Sequence, residues 1–430
     1  MSHKLNLKEF SFLVYGLGAS GISVIKYFKK KNFINYFTWD DNPKFKKKFK
    51  SKNTSNINKT FKEVDYIVLS PGISIKNSKH KKKLLKFKKK IITDIDLLYL
   101  SSPGIKSIVV TGSNGKSTTC KIIAHLLKKN GFNVGLGGNI GTPVLKLKIK
   151  KNIFLVIEAS SFQLSHSKFI HPDYAILLNI TNDHVDWHGS TQAYIESKLK
   201  IFNLQKKNNF ALVNNNFKEI FNRKKYLSKL VPLKFIDYKK IKSKIKNNYL
   251  TSLTNDENMN FVFSLSKLLK ISKKSFIKSM GSFLGLPHRH EVFLKKKYIT
   301  FINDSKATSF QATKTALASS KNIYWILGGL PKKKDKINLK NLKYNIIKSY
   351  IIGKDINFFK KQLKNKVKFS VEVNLKKAVV SVLKDIRLLK KNKSTVLLSP
   401  SAASFDQFKN FEQRGNVFKK LSRLYVKKFI

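Results

Sequence analysis

The stretch SIVVTGSNGKSTTCKIIAHLLKKNGF, residues 107–132, decides the fold. Ile108, Val109 and Val110 read as a buried strand, and TGSNGKST (111–118) as a tight glycine loop. Ile122, Ile123, Leu126 and Leu127 then form one face of an amphipathic helix. Strand, glycine loop, Lys-Ser and helix, in that order, make a triphosphate cradle. Gly112 and Gly115 let backbone amides approach phosphate oxygens, and the positive end of the helix dipole adds to the attraction. Ser113 and Asn114 complete the loop, Lys116 is expected over the β- and γ-phosphates, and Ser117 or Thr118 offers a hydroxyl to Mg²⁺. The spacing departs from G-x-x-x-x-G-K-[ST], since Val110 stands where the first glycine belongs. A glycine turn with a capping serine would account for the loop alone, but not for strand and helix on its correct sides.

The 430 residues suggest three domains at the usual ~150 residues each. A hydrophobic content of 42% is enough for ordinary cores. The single cysteine, Cys120, excludes an intramolecular disulfide and fits a reducing compartment. No apolar run approaches the ~18–20 residues of a spanning helix. FSFLVYGLGASGISVI (10–25), after Lys4 and Lys8, imitates a signal peptide, but three glycines interrupt it and no small-x-small site precedes KYFKKK. A cytoplasmic monomer is expected. The formal charge of +63 is nearly all lysine, spread over almost every segment, and Asn, Ile and Phe are abundant beside it. That points to a base-composition bias with solvated Lys faces. Nucleic-acid readers instead favour Arg and aromatics at defined sites, so no specific nucleic-acid partner is expected.

The α/β alternation runs the whole length. GLGASG (16–21) follows a strand and opens a helix, and the strand INYFTWDD (34–41) delivers Asp40 and Asp41 where a ribose- or base-reading acid belongs. EVDYIVLSPGI (63–73) is a strand leading into a Pro-Gly turn at Gly72. GLGGNIG (135–141) reads as a glycine-rich turn carrying Asn139. NIFLVIEASSFQL (152–164) brings Glu158 to a strand end, and YAILLNITNDHVDWHGS (174–190) brings Asp183 and His184 to another. Ligands of open α/β sheets bind at those carboxyl ends, where an acid and an imidazole suit Mg²⁺ or phosphate. His184 and His188, with Asp183 and Asp186 nearby, raise a zinc site, but no cysteine accompanies them and the segment reads as a loop. Lys198 lies on the helical run TQAYIESKLKIF (191–202), one of many lysines by composition. Residues 205–280 say least. FLGLPHRHEVF (283–293) marks a boundary at Pro287, and the scarce Arg289 beside His288 suits a phosphate. Three divisions follow: 1–94, 95–285 and 286–430.

Six stretches then resemble, in order and over essentially the whole chain, the motif set of the Mur ligases of peptidoglycan synthesis. They are TGSNGKST, EASSFQL, LNITNDHVDWHGS, GLPHRHE, NDSKATS and LSPSAASFDQFKNFEQRG. The opening GLGASG and the long C-terminal motif are most similar to the members that add D-glutamate, and no DNPR-like diamino-acid signature is present. Members adding L-alanine or a diamino acid are the alternative. The resemblance implies a Rossmann-like N-terminal domain binding a UDP substrate, a central P-loop ATPase-type parallel sheet, and a Rossmann-like C-terminal domain bringing the amino acid. It implies ATP-driven activation of UDP-N-acetylmuramoyl-L-alanine as an acyl phosphate, then attack by D-glutamate. By motif, Ser117 and Glu158 would hold one Mg²⁺ and His184 a second, with Lys198 carbamylated by CO₂ as a further ligand. Asn139 would approach the γ-phosphate or the substrate carboxyl, and Arg289 and Asp304 would face ATP. Lys306, Thr308, Ser404, Phe405 and Phe411 map to D-glutamate, and Gly18, Ala19, Ser20, Asp40 and Gly72 to the uridine diphosphate. Ser309 stands where the family usually carries Asn, and SPSAAS replaces Ser-Pro-Ala-x-Ala-Ser. A nicotinamide dehydrogenase would leave the phosphate loop and Glu158 unexplained; a nucleic-acid-binding P-loop protein would leave the C-terminal motifs so.

Overall fold

The computed structural model describes residues 6–46, 49, 52–181, 184–233, 235–247, 249–332, 335–389 and 393–430. Phe12–Tyr15 (β1), Tyr36–Trp39 (β2), Tyr66–Leu69 (β3) and Ile91–Ile92 (β4) form a parallel sheet in the order β2-β1-β3-β4. A parallel sheet is covered on both faces, so its strands read as unbroken apolar runs. Phe12 and Val14 accordingly belong to one core cluster and Leu13 and Tyr15 to the other.

The second sheet joins Lys106–Thr111 (β5), Asn133–Gly138 (β6), Ile153–Glu158 (β7), Tyr174–Leu177 (β8), Phe210–Val213 (β9) and Lys229–Pro232 (β10). Its order is β10-β9-β8-β5-β7-β6, parallel throughout. Pro232 is tolerated because β10 is an edge strand. The helix Lys116–Lys129 follows β5 and buries Ile122, Ile123, Leu126 and Leu127. Residues 135–138 correct the expected glycine turn: they belong to β6. A Cβ on Gly135 would lie 2.6 Å from Leu155 Cδ2, and one on Gly137 would lie 2.4 Å from the Thr142 carbonyl oxygen. These glycines serve close packing.

Glu291–Lys296 (β11), Ile299–Asn303 (β12), Ile323–Gly328 (β13), Ile346–Ile352 (β14), Phe369–Val373 (β15) and Ser394–Leu398 (β16) form the third sheet, ordered β11-β12-β16-β13-β14-β15. Only β11 is antiparallel. Tyr324 and Ile326 of β13 face one core cluster while Ile323, Trp325 and Leu327 face the other. The expected α/β class with parallel sheets is the one observed. Two compact units emerge, Met1–Lys246 with Glu257–Phe283, and Asn247–Asp256 with Leu284–Ile430. The first contains two sheets and the second contains the third. Of the three tryptophans, Trp39 ends β2, Trp187 lies in the short helix Val185–His188 beyond β8, and Trp325 lies in β13.

Burying one Leu, Ile or Phe is worth about 1.5–3 kcal/mol, whereas exposed like charges are screened beyond a Debye length of ~8 Å. Burial wins; among the described lysines and arginines, Lys198 and Arg414 are the buried ones. Among the described residues no helix is long and apolar enough to cross a membrane.

A buried acidic pair joins the first two sheets. Thr93 and Asp96 form a capping box at the helix Asp94–Ser101. The Asp96 carboxylate accepts the Lys168 and Phe169 amides at 2.9 and 2.8 Å and the Thr93 amide at 2.9 Å. Burial pushes the neighbouring Asp94 carboxyl up from 3.8 to about 6, against hydrogen bonds from Gln163 and the Ile95 amide. A carboxyl raised in the folded state stabilises the fold most below its unfolded pKa, and that contribution is lost as pH rises through the folded value. Thermal stability is therefore expected to fall as pH rises from about 4 to about 6. Asp94→Asn, which keeps the acceptor oxygen, should flatten that part of the Tm–pH curve. Burial also raises Asp96, so a residual slope of the same sign remains. An unchanged slope in Asp94→Asn would count against this assignment.

Candidate functional site

The loop after β5 closes on the helix Lys116–Lys129, whose N-cap is Gly115 at φ 83° with no side-chain cap. The first amides of a helix lack intrahelical acceptors, so an uncapped, positive N-terminus opens onto the loop. Gly112 has φ 153°, and a Cβ on Gly115 would lie 2.3 Å from Asn258 Oδ1. The loop is braced from behind. The Ser113 and Asn114 amides donate to the Asn179 carbonyl and to Asn179 Oδ1 at 2.8 and 2.9 Å. The Ser113 hydroxyl meets the Tyr194 hydroxyl at 2.7 Å. Ser117 and Thr118 are both buried in the first turn.

Two lysines converge here. Lys116 Nζ donates to the Gly112 and Ser113 carbonyls at 2.6 and 2.8 Å, and Lys198 Nζ donates to the same Gly112 carbonyl at 2.8 Å. Lys198 is 1% exposed and lies 4.4 Å from the Tyr194 ring centroid. Val110 pairs with Glu158, which sets Glu158 at the neighbouring strand end. Glu158 Oε1 accepts Asn139 Nδ2 at 2.8 Å, while the buried Oε2 has no hydrogen-bond partner.

His184 caps the short helix Val185–His188 in a left-handed conformation, φ 55°, so the loop expected there is in part helical. Its ring lies 4.7 Å from Phe162 and 6.3 Å from Tyr194. His188 meets Ser161 Oγ at 3.0 Å, and burial, reinforced by the charges of His184 and Lys198, pulls its imidazole down to about 4. The phosphate loop, Glu158 and Asn139 thus lie at adjoining strand ends, Lys198 reaches the loop from the helix Thr191–Leu199, and His184 lies against Tyr194, whose hydroxyl meets the loop. Asp183 lies outside the described residues. Among the described residues no group of three or more His, Cys, Asp or Glu forms a metal cluster.

On the first sheet, Asp40 ends beside the glycine loop and accepts the Leu17 and Asn42 amides at 2.6 and 2.8 Å. Its carboxylate pins the turn that carries Gly18, Ala19 and Ser20, the last two opening the helix Ala19–Lys30. Gly72 lies in the turn after β3, the strand beside β1.

In the second unit, Asp304 follows β12. Its buried carboxylate accepts Ser399 Oγ at 2.7 Å and the His290 amide at 3.0 Å, and burial pushes it up to about 7 against these bonds and the charge of Arg289. Lys306 Nζ stands 3.7 Å from the Phe411 ring centroid. Ser404 is buried and Phe405 is 71% exposed. Thr308 is half-buried between Ala307 and the helix Phe310–Ala318.

Several residues at these sites were not singled out from the sequence. Asn258 accepts the Thr119 hydroxyl at 3.2 Å, and Glu257 takes the side-chain amides of Asn179 and Asn214, both at 3.0 Å. The fully buried Arg414 donates to the Ser305 carbonyl and hydroxyl, to the Ala402 carbonyl and to the Gly328 carbonyl, tying together the ends of β12, β16 and β13. Burial pulls its guanidinium down to about 10. Arginine scarcity, which singled out Arg289, would have found it.

Residues 110–284 match the family model described as Mur ligase middle domain. The UDP-N-acetylmuramoylalanine–D-glutamate ligase of Rickettsia felis is 36% identical, over 95% of this chain and 96% of its own. The enzyme of that name from Buchnera aphidicola subsp. Baizongia pistaciae is 34% identical, over 95% and 96%. Among solved structures, the MurF ligase of Thermotoga maritima in complex with ADP superposes with a TM-score of 0.59 at 16% identity, covering 98% of this chain and 99% of its own. The UDP-N-acetylmuramate-alanine ligase of that organism gives 0.55 at 15% identity, covering 98% and 99%.

Proposed function

Because the chain belongs to the Mur ligase family, we propose that it is an ATP-dependent amide ligase that joins D-glutamate to UDP-N-acetylmuramoyl-L-alanine. The L-alanyl carboxylate attacks the γ-phosphorus, the bond to the bridging oxygen breaks, and ADP leaves. The D-glutamate amine then attacks the acyl carbon and loses a proton, and phosphate departs as the amide forms. A carboxylate is a poor acyl donor, so the step depends on positioning and on spreading the phosphoryl charge. The observation that carries this reading is the uncapped helix N-terminus at Gly115, with Lys116 across the loop and Glu158 Oε2 partnerless beside it.

In this reading the amides of residues 112–118 and Lys116 hold the phosphates. Mg²⁺ fits the site, because a buried carboxylate oxygen without a partner is a hard donor for a hard cation. Ser117 and Glu158 would hold one ion, and His184 and Lys198 a second. Bound there, Mg²⁺ supplies neutralisation of phosphoryl charge. Carbamylation of Lys198 is supported by its burial and by the ammonium of Lys116 on the same carbonyl. The Nζ ammonium loses one proton, and addition of CO₂ to the resulting amine releases a second, so one of two converging positive charges is replaced by a negative carbamate. Arg289 and Asp304 serve the ATP side, Lys306, Thr308, Ser404, Phe405 and Phe411 the amino acid, and Gly18, Ala19, Ser20, Asp40, Gly72, Asn139 and His184 the UDP substrate. Three domains, 1–94, 95–285 and 286–430, acting as a cytoplasmic monomer, complete the proposal.

The test is phosphate release from ATP, Mg²⁺, bicarbonate and UDP-N-acetylmuramoyl-L-alanine with D-glutamate, L-glutamate or meso-diaminopimelate in parallel. Release with D-glutamate alone is expected. Release only with another amino acid would move the specificity, and release with none from folded protein would refute the ligase reading.

A further inference from the structure

The segment 399–410, between β16 and the helix Phe411–Phe429, is anchored on both sides of one residue. Before it, the Ala403 and Leu330 amides and carbonyls exchange two hydrogen bonds, each 2.9 Å. After it, Asp406 Oδ2 accepts the Lys354 amide at 3.1 Å, and Gln407 Nε2 donates to the Val373 carbonyl at 2.8 Å. Between the anchors stands Phe405, 71% exposed although its neighbour Ser404 is 2% exposed.

The far ends of these anchors are shaped to receive them. A Cβ on Gly353 would lie 2.5 Å from Asp406 Oδ2, so the carboxylate seats against a bare Cα at the end of β14. Val373 is held at φ 61°, a left-handed conformation that a β-branched residue adopts only under constraint. The register of β14 and β15 slips between Ile351 and Ile352, leaving Glu372 as an extra residue, and the turn it creates aims the Val373 carbonyl at both Gly353 N and Gln407 Nε2. Strain of this kind persists where surrounding structure over-determines it, and it concentrates at functional sites.

We propose that Asp406 and Gln407 are positioning residues for the amino-acid subsite, fixing the backbone of Phe405 to the ends of β14 and β15 so that its ring is presented to the incoming amino acid. This inference rests on the ligase reading above. Neither side chain need touch a substrate; each acts through Phe405 and Ser404.

The experiment measures apparent KM for D-glutamate and for ATP, together with Tm, for the wild-type enzyme and for Gln407→Glu, Asp406→Ala, Asp406→Asn and Phe405→Ala. Gln407→Glu keeps size but cannot donate to the Val373 carbonyl, and Asp406→Ala removes the acceptor for Lys354. Each should raise KM for D-glutamate about fivefold to tenfold, with KM for ATP moving less than about twofold. Asp406→Asn keeps an acceptor oxygen and should restore most of the loss. Phe405→Ala disturbs neither anchor and should raise KM for D-glutamate alone. An unchanged KM for D-glutamate in Gln407→Glu or Phe405→Ala would overturn the proposal, as would parallel shifts in both KM values and Tm. A folded wild-type enzyme that fails to release phosphate whichever amino acid is supplied would instead defeat the ligase reading, and this inference with it.

Discussion

Lys116→Ala is expected to lower phosphate release at least about 10³-fold while the affinity for the UDP substrate stays within about twofold. The ammonium spans the loop, bonded to the Gly112 and Ser113 carbonyls, and is a point charge on a flexible stem that can follow a transferring phosphoryl group. Its loss removes charge stabilisation that exists only as the phosphoryl group moves, which lowers kcat. The loop itself should survive, since Asn179 and Tyr194 hold it independently. Titration calorimetry with ATP and with UDP-N-acetylmuramoyl-L-alanine separates the two ligands. A folded variant that loses both affinities equally would contradict the assignment of the phosphate loop.

The second large effect runs in opposite directions for activity and stability. Glu158→Gln should reduce turnover about 10²- to 10³-fold and at the same time raise the Tm of the ligand-free protein. One oxygen of Glu158 is occupied by Asn139, and the other is buried without a partner. An unpaired buried carboxylate is costly, and an amide of the same shape costs less. If that oxygen exists to hold Mg²⁺, neutralising it exchanges function for stability. Thermal unfolding with and without Mg²⁺–ATP checks both halves: ligand should stabilise the wild type more than the variant. A variant that is less stable and equally active would remove the metal role from Glu158.

The strand ends were legible because chemistry and hydrophobic period change at the same residue. NIFLVIE is apolar until Glu158, and SIVVT until Gly112. A charge at the end of a buried run has few reasons to be there other than function. The partners of the bracing residues were not legible, because nothing local joins them. Asn258 reaches Thr119 across 139 residues, and Arg414 reaches Ser305 across 109. Lys198 stood out by its place in the family motif and not by composition. In a chain with 87 lysines and arginines, composition cannot tell a lysine held in the dry interior, as Lys198 is, from those in water. The glycines of β6 misled because closeness of a neighbouring chain and a turn leave the same mark.

The three tryptophans give the molecule optical properties of its own. Trp39 lies with the Lys46 ammonium 3.1 Å from its ring centroid and its indole N–H on Asp41, so an adjacent charge of each sign bears on its emission. Trp187 is packed 4.7 Å from Phe162 and 4.6 Å from His188, within reach of imidazole quenching. Trp325 is wholly buried, and its indole N–H donates to the Ser399 carbonyl at 2.8 Å, which places a blue-emitting fluorophore one residue's hydrogen bond away from Asp304. Exchanging any two of them for phenylalanine leaves a single indole at one known place, and the colour and lifetime of its light then say where a ligand has arrived.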